Sequence, residues 1–193
     1  MGNSAYGQSP SLGVDLRVQC EVNELLKGAV LMDVSTLVEP DRVHRSVYTD
    51  QEVFDREIEN IFETVWVYCG HESQIPNAGD YYSVQIGRQP MIMVRGREGA
   101  IHVLYNRCPH RGVQVCGALK GNAGTSLACS YHGWTFHLDG KLKAIPLQSA
   151  YDGTRMGPEN PDCHMRPAAR VEAYRGFVFA SLAGSGPSLL DFL

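Results

Sequence analysis

Two short stretches, Cys108-Pro-His110-Arg-Gly112 and Cys129-Ser-Tyr-His132-Gly133-Trp134, constrain this chain more than anything else in it. Each offers one thiol and one imidazole from a tight turn, with residues 111–128 lying between the second and third of these side chains. A fold that uses them must bring two matching fingers together. Structural zinc sites keep like ligands together, as in C-x2-4-C with H-x3-5-H, so one ligand of each kind per finger reads poorly as zinc. The mixture suits a centre of two iron ions bridged by sulfide, with both thiolates on one iron and both imidazoles on the other. Gly112 and Gly133 follow the histidines closely and let the backbone approach such a centre. Successive N–H groups in the turns can form a concave nest for its negative charge.

The fingers and their surroundings resemble the Rieske [2Fe-2S] domain that opens the large (alpha) subunit of bacterial aromatic-ring-hydroxylating dioxygenases. The resemblance extends through Tyr48-Thr-Asp50, Trp66, Gly70-His-Glu-Ser-Gln-Ile-Pro76, Gly79-Asp80, Asn106-Arg107 and Gly176-Phe-Val-Phe179, covering roughly residues 38–183. The separation between fingers is slightly longer than usual for the family, which an extra residue in a surface turn near residues 121–124 would absorb. The resemblance implies a cluster bound by Cys108, His110, Cys129 and His132, with Arg111, Gly112, Gly133 and Trp134 around it. Neutral imidazoles leave their iron less negatively charged, so that iron is expected to cycle while the thiolate-bound iron stays ferric.

By the same resemblance, electrons come from a ferredoxin or flavin reductase and pass to a mononuclear Fe(II) in a separate C-terminal domain. There O2-dependent hydroxylation of an aromatic ring begins the breakdown of aromatic compounds. That iron takes two histidines and a carboxylate. His71-Glu72 and the pair Asp162 and His164 are the only local pairings outside the fingers, and they read as structural. The chain ends at Leu193, so the expectation is an electron-entry part that is not catalytically competent alone, with residues 184–193 starting a linker and residues 1–37 forming an extension. Other oxygenase subunits are implied as partners in a homo- or hetero-oligomer. A stand-alone Rieske-type ferredoxin is the alternative within the same chemistry, and a zinc-stabilised interaction domain the alternative outside it.

Residue choices around the fingers bear on redox behaviour. Respiratory Rieske proteins carry an extra cysteine in each finger, joined as a disulfide; here the matching position of the second finger is Tyr131, so Cys116 reads as a packed thiol. They also place a serine after the second His-Gly, where this chain has Trp134 with only a distant indole N–H to offer. Fewer donors stabilise the reduced cluster less, which predicts a potential low in the family's range of about −150 to +300 mV.

The formal charge of −4 comes without any Lys/Arg block, so neither nucleic acid nor an anionic membrane surface is an expected partner. No apolar run is long enough to cross a bilayer and no secretory signal opens the chain, which predicts a cytoplasmic protein. Of the six cysteines the cluster would claim Cys108 and Cys129; the other four lack framework spacing and are expected as free, mostly buried thiols.

Residues 1–13 read as a flexible tail and residues 14–32 as an interrupted helix with no assigned function. A firmer helix is expected from Thr49, with Thr49 as N-cap, Glu52 closing a capping box, Tyr48 and Val53 as a staple, and Phe54, Ile58, Ile61, Phe62 and Val65 on its apolar face. Beyond it the pattern turns to strands at 81–86, 90–94, 100–106, 134–138, 141–145, 171–174 and 177–182. Asp139-Gly140 and Arg175-Gly176 both read as type I′ hairpin turns. The fold class expected is mostly β, an antiparallel sandwich with an N-terminal helix and the fingers protruding from it.

Overall fold

The computed structural model describes residues 33–193, so the expected tail and first helix lie outside the described residues. The chain divides into two compact units, Met1–Glu52 and Val53–Leu193. Described parts of the first unit are a short turn, Val34–Leu37, a small hairpin of β1 (Val38–Glu39) and β2 (Arg42–Val43), and a helical turn, Ser46–Thr49.

The helix that follows is Gln51–Glu57, and it starts one residue later than expected. Asp50, not Thr49, accepts the Glu52 N–H at 2.9 Å, because the Thr49 hydroxyl turns back to the Arg45 carbonyl at 3.3 Å. Tyr48 is 79 % exposed rather than stapled. The helix then widens into a π-helical turn, Ile58–Phe62, which shifts the apolar stripe: Val53 and Ile58 are buried, while Phe54, Ile61 and Phe62 stay more than a third exposed. Arg88 covers the Phe54 ring and pairs with Asp55.

Three antiparallel sheets build the second unit. A four-stranded sheet runs β6-β5-β4-β7, from β4 (Asp80–Ile86), β5 (Gln89–Arg95), β6 (Ile101–Tyr105) and β7 (Lys120–Asn122). A three-stranded sheet orders β11 (Arg170–Tyr174), β12 (Phe177–Ser181) and β3 (Val67–His71). The smallest places β9 (Thr135–Phe136) between β8 (Leu127–Ala128) and β10 (Leu142–Ala144). The mostly β, antiparallel expectation holds. Residues 121–124 are not a plain surface turn, because Gly121 and Asn122 pair with β4 before the chain turns.

Side-chain alternation along β5 divides the interior. Met91 and Met93 enter a core with Cys69, Ile75, Val178 and Ala180, between the two larger sheets. Ile92 and Val94 point the other way, into a core with Cys108, Cys129, Trp134 and Phe136 that lies under the fingers. A strand buried on both faces reads as a continuous apolar run, which Met91-Ile-Met-Val94 is.

The two hairpins expected to share a turn type differ. Arg175 and Gly176 both have positive φ, 51° and 85°, and Tyr174 pairs with Phe177, which is the two-residue I′ arrangement. At the other, only Gly140 is positive, at 89°. Gly140 N–H donates to the His137 carbonyl and His137 N–H to the Lys141 carbonyl, making a three-residue loop with a bulge. The Asp139 carboxylate accepts the Lys141 N–H at 3.0 Å and so holds its own residue out of the left-handed region.

Candidate metal centre

Both fingers close with the same backbone hydrogen bonds. In the first, Cys108 N–H donates to the Val113 carbonyl and Gly112 N–H to the Cys108 carbonyl, each at 2.8 Å. In the second, Cys129 N–H donates to the Trp134 carbonyl at 2.8 Å and Gly133 N–H to the Cys129 carbonyl at 3.0 Å. Each glycine stands four residues after its cysteine and takes positive φ, 75° at Gly112 and 71° at Gly133. That conformation is cheap only without a Cβ, which explains the paired glycines. Gly112 and Gly133 therefore close the turns.

These turns bring the four sequence-identified side chains together as two pairs. Cys108 and Cys129 are 2 % and 4 % exposed and lie close enough for one thiol to hydrogen-bond the other. His110 and His132 meet with ring centroids 4.7 Å apart, His132 exposed and His110 partly so. Among the described residues, no three His, Cys, Asp or Glu side chains converge as a single metal ion would require. Sulfur at a buried end and nitrogen at a surface end is the donor set of a centre with two metals, and the arrangement fits a [2Fe-2S] group.

Electrostatics agree with that division. Burial pushes the Cys108 thiol up to about 11, with Cys129 adding to the rise, while backbone N–H groups of His110 and Arg111 pull the other way by pointing at the sulfur. Those N–H groups form a nest suited to a thiolate. Burial also lowers the pKa of His110, helped by His132 and Arg111, which favours the neutral imidazole that a metal needs.

Trp134 lies flat on His110, ring planes 3° apart and centroids at 4.9 Å, and meets Tyr151 edge-on at 6.3 Å. Arg111 is exposed beside the first finger. Cys116 is buried, its thiol pushed up to about 11 by that burial, and it is one of five free cysteines among the described residues. His71 Nδ1 accepts the Ser73 N–H, and His164 Nδ1 accepts the Leu142 N–H, so both serve local structure.

Asn106 carries a role that spacing alone does not reveal. Its buried carboxamide donates to the Cys116 carbonyl at 2.7 Å and accepts from Val115 N–H at 3.1 Å and Cys116 N–H at 2.9 Å. The signal available in the sequence is weak, an uncharged amide between the buried strand Val103-Leu104 and Cys108 with Arg107 beside it. Tyr131 is also drawn in, its ring 3.8 Å from that of His132.

Residues 65–168 match the family model of the Rieske [2Fe-2S] domain, more than half of the chain. Among relatives, the chain is 40 % identical over 172 residues to the toluate 1,2-dioxygenase subunit alpha of Pseudomonas putida, covering 83 % of this chain and 36 % of that protein. It is 38 % identical over 164 residues to the biphenyl 2,3-dioxygenase subunit alpha of Rhodococcus jostii, covering 83 % and 34 %. A solved structure of naphthalene 1,2-dioxygenase from Rhodococcus sp., bound to indole, superposes with a TM-score of 0.72 at 36 % identity, covering 94 % of this chain and 38 % of that one. The chain thus spans about a third of the length of these relatives. Matched fingers, a thiol pair beneath an imidazole pair, and likeness across most of the described residues lead to one conclusion: the chain belongs to the Rieske [2Fe-2S] domain family.

Proposed function

We propose that Cys108, His110, Cys129 and His132 hold the [2Fe-2S] cluster and that this chain is the electron-entry part of an oxygenase alpha subunit. Residues 38–183 form the Rieske domain, preceded by an extension and followed from residue 184 by a linker. The observation that carries the reading is the pair of identically closed fingers that puts two thiols at the buried end and two imidazoles at the surface.

When bound, the cluster accepts and releases one electron at a time. The chain's own residues set the conditions for that. Burial of Cys108 and Cys129 keeps water from the sulfur end, and the N–H groups of His110 and Arg111 soften the charge gathered there. A ligating imidazole keeps a second N–H, which on His110 and His132 is free to donate to a carboxylate of a neighbouring domain or subunit. Electrons arrive from a ferredoxin or flavin reductase and leave for a mononuclear iron elsewhere in the oxygenase. The substrate class is an aromatic ring, as the names of the toluate, biphenyl and naphthalene relatives suggest. Among the described residues no helix is long and apolar enough to cross a membrane, and a cytoplasmic setting suits such chemistry.

Anaerobic reconstitution tests the reading. Iron and acid-labile sulfide in equal amounts, with a mixed-valent EPR signal after reduction, are expected for the wild type and lost on His110→Ala or His132→Ala. A protein that takes up iron without sulfide, or a variant that keeps the full signal, overturns the assignment. A redox titration is expected to give a midpoint in the lower half of the family's range.

A further inference from the structure

The indole of Trp134 is 1 % exposed, and among the described residues its Nε1–H is the only buried side-chain nitrogen or oxygen without a hydrogen-bond partner. Folded proteins rarely leave a buried donor unmade, because the desolvation cost, about 1–3 kcal/mol, is then uncompensated. The chain's other indole, Trp66, follows the rule by donating to the Pro187 carbonyl at 3.0 Å.

Where the orphan lies gives it meaning. Trp134 touches both fingers: its ring is stacked on His110, and its backbone carbonyl receives the Cys129 N–H. Tyr151 closes the ring in edge-on from outside. The Cys108, Val113, Cys129 and Trp134 carbonyls each accept an N–H that closes a finger, and none of them accepts the indole N–H. A sulfur-rich anionic group between the fingers would bring acceptors to this place.

We propose that Trp134 is a positioning residue with two separable parts: its face fixes the plane of the His110 ring, and its N–H donates to the sulfur of the bound cluster. This rests on the ligation proposed above. On reduction one electron is added, one ferric ion becomes ferrous, no bond breaks, and the extra negative charge strengthens the N–H contact. The donor therefore favours the reduced form.

Trp134→Phe keeps an aromatic face and removes the N–H; Trp134→Leu removes both. In electrode titrations of the reconstituted protein, Trp134→Phe is expected to shift the one-electron equilibrium toward the oxidised form about tenfold, which is about 59 mV, with sharp EPR lines. Trp134→Leu is expected to shift it similarly and to broaden the lines as the His110 ring loses its fixed plane. An independent readout needs no variant: wild-type protein with 15N-labelled tryptophan should show a hyperfine coupling from indole nitrogen in the reduced state. A Trp134→Phe protein that binds cluster with an unchanged potential, or wild-type cluster with no indole coupling, overturns the proposal and leaves a buried water as the partner. Failure of the wild type to bind any cluster overturns instead the ligation on which it rests.

Discussion

The two fingers share a backbone and differ in what supports it. The second is the loop of a hairpin: Ala128 pairs with Thr135, so β8 and β9 hold its ends by main-chain hydrogen bonds. The first leaves β6 at Tyr105 and returns into chain with no strand until β7 at Lys120. There the Asn106 side chain substitutes for a strand by bonding residues 115 and 116. One finger is thus held by a ladder, the other by the Asn106 carboxamide together with the Asn106 N–H on the Pro90 carbonyl.

The sharpest way to break that comparison is Asn106→Ala. It orphans two N–H groups and a carbonyl in a buried place, and is expected to cost roughly 3 kcal/mol or more, read as a drop in the midpoint of denaturant unfolding and as faster iron loss. An unchanged midpoint would mean that the first finger has another support. Next in size is a difference between the matching glycines. Gly112→Ala meets nothing closer than 3.9 Å, so only its left-handed backbone costs, about 1–2 kcal/mol. Gly133→Ala puts a Cβ 2.9 Å from Pro146 Cγ and is expected to destabilise more. Equal melting temperatures for the two alanine variants would contradict this.

The smallest expected effect lies in the segment joining the fingers. The Asn122 side chain, then the Asn77 backbone N–H, holds the Asp80 carboxyl below its ordinary 3.8, tying β4 to β7. A depressed folded value means that the stabilisation is present above pH 3.8 and is lost as pH falls through the folded value. Asp80→Asn should therefore lower neutral stability slightly and flatten the acid limb of the stability curve by the same small amount. A steeper acid limb in the variant would reverse that sign.

Much of the site was legible because its chemistry is local in sequence. Each finger carries its cysteine, its histidine and its closing glycine within five residues, so spacing alone pointed to them as candidates. Asn106 was not legible as a clamp, because its partners lie about ten residues on and are backbone groups with no residue-type signature. Turn chemistry misled at Asp139-Gly140 for a similar reason. Gly140 packs against Leu104 of β6 and the Met165 carbonyl, both distant in sequence, and the Asp139 side chain turned to Lys141. The N-terminal helix failed at its ends for local reasons, with Asp50 competing successfully as cap, and a π turn then rotated Ile61 and Phe62 outward.

The alternation along β5 has a consequence for how the molecule comes apart. Since Met91 and Met93 belong to one interior and Ile92 and Val94 to the other, neither can melt while its neighbour stays frozen. Amide exchange should be slowest along this strand, and loosening the far sheet pair should speed escape of iron from the opposite side.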